Sequence, residues 1–207
     1  TLAERMMFYK VPGLSIAVIK DFNLEWTKGY GIMDITTMEP VTAETLFQAA
    51  SISKAVTAMA VLKKVQEGKF KWEEDVNTYL VSWKLPEHRW TGQQNVSILR
   101  LLTHTAGVTV HGFRGYDAAE PVPTLLQVLD GTAPANSAAI RVDVAPGGDF
   151  RYSGGGYCIL QQMLMDLVKQ PFPIIMEDTV IKPLCMTHST YLQPLPEDRQ
   201  KAAASGH

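Results

Sequence analysis

Apolar positions along this 207-residue chain follow two different periods. Leu2, Met6 and Tyr9 recur at helical spacing until Pro12-Gly13 stops the segment. Leu14 to Ile19 is an apolar, β-branched run that predicts a buried strand. Asp21-Phe22-Asn23 reads as a turn and Leu24 to Tyr30 as a second strand, which together predict an antiparallel hairpin. A lone hairpin is only marginally stable in water, so this one is expected to belong to a larger sheet. The rest of the chain offers few strand-like runs to complete it.

Beyond Pro40 the period becomes helical. Ile52 to Gln66 carries apolar residues at Val56, Met59, Ala60, Leu62 and Val65, with Gly68 as the stop. Ser97 caps a predicted short helix through Leu101-Leu102, and Thr124 to Leu129 forms another, closed by Gly131. A longer helix is predicted from Gly156 to Lys169, with Leu160, Met163, Leu164 and Leu167 on one face. Ile174 to Ile181 reads as helix, stopped before Pro183. Gly- and Pro-bearing loops fill 108–123 and 133–149. The fold class is α+β, an N-terminal hairpin followed by a largely helical region.

Composition narrows the function classes. Hydrophobic residues make up 46% and charged residues 19%, which suits one globular domain or most of one. The net charge of −2 comes with scattered Lys and Arg, so no nucleic-acid partner is expected. The tightest basic pair, Lys63-Lys64, reads as a solvated helix face. Cys158 and Cys185 lie in apolar stretches and are read as two buried free thiols rather than a disulfide. The five histidines are dispersed and no His-Glu-x-x-His pattern occurs, so neither a zinc site nor another cofactor is expected. No apolar run reaches membrane-spanning length.

The strongest chemical signal is Ser51-Ile52-Ser53-Lys54. A serine hydroxyl is a poor nucleophile until a base removes its proton. A serine and a lysine three apart at a helix start lie on the same turn, so their side chains can meet. The helix N-terminus favours an alkoxide and disfavours a protonated amine. Burial pushes a lysine the same way. The spacing alone is cheap, because Ser-x-x-Lys arises about once by chance in a chain of this size.

Its context is more specific. Phe47 to Lys54 resembles the active-site segment of class C β-lactamases, low-molecular-weight penicillin-binding proteins, D-alanyl-D-alanine carboxypeptidases and β-lactamase-like carboxylesterases. Val11 to Val18 resembles that family's first sheet strand, and Lys28 to Gly31 the end of its second. Leu101-Leu102-Thr103-His104-Thr105-Ala106-Gly107 is similar to a loop typical of the group. Pro146 to Tyr157 resembles the segment bearing its catalytic tyrosine, and Pro183-Leu184-Cys185-Met186 a Pro-Leu-Gly-Met stretch. Five matches in order span nearly the whole chain.

The resemblance implies a β-lactamase/transpeptidase-like fold with Ser51, Lys54 and Tyr152 as catalytic residues. Ser51 would form an acyl-enzyme, Lys54 would share or take its proton, and Tyr152 would act as second base or proton shuttle. The Ser51 N–H would supply half of an oxyanion hole. Ser153 and Gly154 would be the substrate-binding positions. The substrate would be a β-lactam, a D-alanyl peptide or a small ester, and the location periplasmic or secreted. The alternative is a catalytically silent scaffold that binds a ligand or a partner.

Two departures qualify this. The family's Tyr-x-Asn reads Tyr152-Ser153-Gly154 here, and glycine cannot hydrogen-bond a substrate amide. Losing such a contact costs on the order of 1–3 kcal/mol where its partner is stranded. The third motif, Lys-Thr-Gly or His-x-Gly, is absent. Residues 1–207 are therefore expected to form a single incomplete domain lacking C-terminal strands. Within it, 1–50 would hold the N-terminal helix and hairpin, and 51–207 the nucleophile helix and helical region. Ser205-Gly206-His207 is expected to continue towards a C-terminal fragment that acts as partner.

Lesser motifs read as structural. His104 is expected to hydrogen-bond loop backbone, while His111 and His188 show no partner pattern. Arg151 to Gly155 departs from a Gly-x-Ser-x-Gly elbow at its first glycine. Gly154-Gly155-Gly156 before a helix lacks the spacing of a phosphate loop. Asp143 and Asp149 read as loop residues, and Trp72, Trp83 and Trp90 as packing residues, with the lining of a groove as the alternative.

Overall fold

A computed structural model describes residues 1–117 and 119–206 and divides into two compact units. Ala118, within the predicted 108–123 loop, and His207, at the end of the predicted continuation, lie outside the described residues.

The first unit holds Thr1–Ala50 together with the residues from Met186 onward. Helix α1 (Leu2–Phe8) starts where the Thr1 hydroxyl accepts the Glu4 N–H at 3.3 Å. Strands β1 (Gly13–Lys20) and β2 (Asn23–Gly31) pair antiparallel from Gly13 opposite Gly31 to Lys20 opposite Asn23, with a bulge at Val18/Ile19. Neither strand carries a buried residue, which corrects the expectation for Leu14 to Ile19. Leu14, Ile16 and Val18 are half-buried on one face, while Ile19 on the other is 70% exposed. An apolar run is buried only where another layer meets it, and among the described residues the sheet has two strands.

The 186–206 segment joins this unit through backbone pairing, where the sequence division had placed it with the helices. The Leu46 N–H donates to the Ala202 carbonyl at 2.7 Å, and the Ala204 N–H to the Leu46 carbonyl at 2.9 Å. His188 pairs with Glu44 at 2.8 Å. The last helix of the chain, α7 (Glu197–Gln200), lies in this segment.

The second unit, Ser51–Cys185, is helical. It contains α2 (Ser53–Gln66), α3 (Ile98–Leu102), α4 (Leu125–Asp130), α5 (Gly154–Val168) and α6 (Phe172–Met176). The predicted caps are present: Ser97 accepts the Arg100 N–H, Thr124 accepts the Gln127 N–H, and Gly131 ends α4 at φ 63°. A single π-helical turn, Glu177–Ile181, continues α6.

Helix α5 is the hub, packed against α2, α3, α4 and α6. Its Ile159, Leu160, Met163 and Leu164 are fully buried. Each such side chain contributes about 1.5–3 kcal/mol by leaving water. Asp166 on the same helix is buried and accepts the Val81 and Ser82 N–H groups at 2.7 and 3.0 Å, and also bonds the Ser82 hydroxyl. Burial works against its charge, but these hydrogen bonds outweigh it and hold the carboxyl below its ordinary pKa. Trp83 is buried and donates its indole N–H to Asp130 at 2.9 Å.

Helix α2 buries only one of the apolar positions singled out from sequence, Ala60. Thr57, Ala60 and Val61 are the buried residues, whereas Met59 and Leu62 are exposed. Met59, Leu62 and Val65 instead line an apolar groove with Trp72, Val180 and Leu184. Cys185 is exposed, which corrects its reading as a buried thiol, and Cys158 is half-buried; both are free. Among the described residues no helix is long and apolar enough to cross a membrane.

Candidate active site

Ser51 lies in a 3-10 turn, Ala50–Ile52, that runs directly into α2. The preceding Ala50 adopts φ 44°, a left-handed conformation that alanine rarely takes. Lys54 follows in the first turn of α2, and its Nζ donates to Ser51 Oγ at 3.1 Å. Tyr152 reaches the same oxygen from the segment leading into α5, its hydroxyl donating at 2.9 Å. Three residues singled out from sequence, one of them 101 positions away, thus converge on one hydroxyl oxygen.

Two phenols border the amine, and their electrostatics differ. Lys54 Nζ stands 4.9 Å from the Tyr152 ring centre and 5.7 Å from that of Tyr157. Hydrogen bonding from Lys54, then from Ser51, stabilises the Tyr152 phenolate and lowers its pKa below the ordinary tyrosine value. Burial does the opposite to Tyr157 and raises its pKa, with the Tyr152 charge adding to the effect. Of the two phenols, Tyr152 has the lowered pKa and is bonded to Ser51. The Cys158 thiol on α5 is pushed up to about 12 by burial and is therefore inert as a nucleophile.

The start of α5 is built against the 109–111 backbone. The buried Ser153 hydroxyl donates to the Thr109 carbonyl at 2.7 Å and accepts the Gly156 N–H at 3.0 Å, capping the helix. The Gly154 and Gly155 N–H groups donate to the His111 and Val110 carbonyls, each at 3.0 Å. All three glycine N–H groups are thereby engaged, which leaves no phosphate cradle. A Cβ at Gly155 would lie 2.7 Å from the Thr109 carbonyl oxygen, so the approach requires glycine. A Cβ at Gly154 would come 3.1 Å from the Phe113 ring edge and 3.2 Å from the His111 carbonyl oxygen. Phe113 and the 111–113 backbone therefore crowd the space into which a side chain at 154 would grow.

A scan against family models matches the Beta-lactamase family over residues 1–207. The chain belongs to the beta-lactamase family. Among curated members, Protein flp of Staphylococcus aureus (strain N315) is 29% identical over 187 residues, covering 88% of this chain and 35% of its own length. A beta-lactamase of Pseudomonas fluorescens is 27% identical over 207 residues, covering all of this chain and 53% of its own length. This beta-lactamase-family chain thus spans about a third to a half of the curated relatives it matches.

Solved structures agree on the β-lactamase/transpeptidase-like fold. An octameric penicillin-binding protein homologue from Pyrococcus abyssi superposes with a TM-score of 0.81 at 29% identity, covering 99% of this chain and 46% of its own. A beta-lactamase/D-alanine carboxypeptidase from Yersinia pestis, complexed with citrate, gives 0.77 at 22% identity, covering 97% and 56%.

Sequence reasoning missed the surroundings of Tyr152. The His104 ring lies 4.4 Å and the His111 ring 4.9 Å from the Tyr152 ring, centre to centre. His104 does hydrogen-bond loop backbone, as expected, but at a position that concerns the phenol directly. His111 gave no periodic or motif signal and Tyr157 only closed the matched 146–157 segment, because nothing local marks a residue whose partner is dozens of positions away.

Proposed function

We propose that this chain carries the nucleophile and base of a serine hydrolase that forms an acyl-enzyme on Ser51. The observation that carries the reading is the convergence of Lys54 Nζ and Tyr152 Oη on Ser51 Oγ, at 3.1 and 2.9 Å. Tyr152, as phenolate beside Lys54, takes the Ser51 proton while Oγ bonds to the substrate carbonyl carbon. The carbonyl oxygen becomes an oxyanion and is met by the Ser51 N–H at the start of the nucleophile helix. As the tetrahedral intermediate collapses, the bond to the leaving group breaks and Tyr152 returns the proton to that group. Water then attacks the acyl-enzyme with the same pair as base, releasing the acid and restoring Ser51.

The substrate class is a β-lactam, a D-alanyl peptide or a small ester. The glycine at 154, crowded by Phe113, supports esters over substrates that need a side-chain amide contact there. The relatives' greater length supports a further partner, a C-terminal segment outside residues 1–207 that brings the second oxyanion donor and the Lys-Thr-Gly or His-x-Gly motif.

Hydrolysis of a chromogenic cephalosporin and a nitrophenyl ester by the complete protein tests this reading. Ser51→Ala is expected to lower both by about 10⁴-fold or more. Unchanged turnover would overturn the assignment and leave a silent, ligand-binding scaffold. The ratio of ester to β-lactam turnover in the unaltered protein decides between the substrates.

A further inference from the structure

Tyr152 is held by one residue on both sides. The His104 carbonyl accepts the Arg151 N–H at 2.7 Å, and its ring Nδ1 accepts the Ser153 N–H at 3.1 Å. Between these two bonds lies Tyr152 itself, its ring 4.4 Å from the imidazole at a tilt of 34°. His104 adopts φ 58°, a left-handed backbone that turns its ring and carbonyl towards the same short segment. Phe150 and Tyr157 close the ring in at 5.7 and 5.5 Å. A residue with only a packing role would need none of this directional bonding to the neighbours of the phenol.

We propose that His104 is a positioning residue for the Tyr152 phenol and works only as the neutral imidazole, so that its protonation sets an acid limit on acylation. The inference rests on the hydrolase reading given above. An Nδ1 that accepts the Ser153 N–H carries no proton, which places the neutral ring's single proton on Nε2. Protonation puts a hydrogen on Nδ1, and the Ser153 N–H then faces another donor. The bond is lost and the segment that aims Tyr152 at Ser51 is freed.

Burial and the positive charges beside the ring favour the neutral form. Lys54 faces it from α2, His111 from the 109–113 loop, and Tyr152 and Tyr157 from the segment forming the start of α5. Arg151, which donates its backbone N–H to the His104 carbonyl, has its guanidinium paired with Asp143. Burial first, then the Lys54 and His111 charges, lower the His104 pKa below the ordinary histidine value. The neutral imidazole therefore persists to a pH below about 6.5, and the switch operates beneath that point.

The test uses the complete protein in two arms. In the first, the rate of Ser51 acylation by a fluorophosphonate is measured against pH for the unaltered protein, His104→Asn and His104→Ala. Asparagine tolerates the left-handed backbone and offers an oxygen acceptor that does not titrate. His104→Asn is expected to keep most of the neutral-pH rate and to lose one single-proton acid limb. His104→Ala is expected to slow acylation on the order of 10²-fold at neutral pH, the scale of a misaimed catalytic group, and the gap to the unaltered protein is expected to close as pH falls through the His104 titration. In the second arm, ¹⁵N NMR of the unaltered protein follows the His104 ring nitrogens and the Ser153 amide. Nε2-protonated imidazole, and a Ser153 shift that titrates with His104, are the expected results.

An identical acid limb in His104→Asn would overturn the proposal, as would a Ser153 amide that ignores the His104 titration. Absence of Ser51 acylation in the unaltered protein at every pH would defeat the hydrolase reading instead. In that case the NMR arm still decides whether His104 holds the Tyr152 segment, and so it decides the proposal if a variant fails to fold.

Discussion

The β1–β2 hairpin and helix α5 are both rich in apolar residues, yet they occupy opposite environments. Neither strand has a buried residue and Ile19 is 70% exposed, whereas Ile159, Leu160, Met163 and Leu164 of α5 are fully buried. The difference lies in what each meets: four helices pack on α5, while the described sheet stops at two strands. Residue type sets what a segment can bury, and the layer opposite sets what it does bury. The consequence is functional. Ser51, Lys54 and Tyr152 all belong to the helical unit, so their mutual geometry is set within the unit that holds the packed core.

Substitutions in the packed core should cost far more than those on the hairpin. The largest stability effect is expected at Leu160→Ala, about 2–5 kcal/mol by urea unfolding, from lost burial and a residual cavity. Asp166→Ala follows at about 1–3 kcal/mol, because the Val81 and Ser82 N–H groups lose their acceptor. Asp166 also gives a pH signature. Its folded pKa is lowered, so its stabilisation is complete above the unfolded value of about 3.9 and disappears as pH falls through the folded one. Asp166→Asn should flatten that part of the stability–pH curve.

Gly154→Asn is expected to cost about 1–3 kcal/mol through overpacking against Phe113, with part of the loss recovered in the double variant with Phe113→Ala. Additive losses would show that Phe113 is not what crowds the position. Ile19→Ala should change stability by less than about 0.5 kcal/mol in this chain. A loss there comparable to that at Leu160 would erase the contrast.

Much of this organisation was legible in the sequence because its causes are local. Ser97, Thr124 and Gly131 mark helix ends through their own side chains or backbone freedom, and each does so in the structure. Helix α5 begins at Gly154, two residues before the predicted start, because the Ser153 cap outweighs the poor helix propensity of three glycines. The pairing of Ser51 with Lys54 followed from helix spacing, whereas Tyr152 was placed only by resemblance, since nothing nearby in sequence points to it.

The failures share a cause as well. The exposed β1 run, the exposed Cys185 and the exposed Met59 and Leu62 of α2 were all judged by residue type. On α2 the small residues Thr57 and Ala60 face the core, while the larger ones line a groove with Trp72 and Leu184. Periodicity located a helix there but not which of its sides packs inward. The partners of His104 were not legible for a different reason, because its ring Nδ1 and carbonyl accept backbone N–H groups of a distant segment, and every sequence possesses such groups.

In the proposed mechanism, Lys54 and Tyr152 make the Ser51 hydroxyl reactive. Treatment of the complete protein with a fluorophosphonate, followed by peptide mass mapping, is the decisive test. A single phosphonyl adduct on the Ser51 peptide is expected, absent in Ser51→Ala and formed about 10²–10⁴ times more slowly in Tyr152→Phe. An adduct on another residue, or a Tyr152→Phe variant that labels as fast as the unaltered protein, would contradict it.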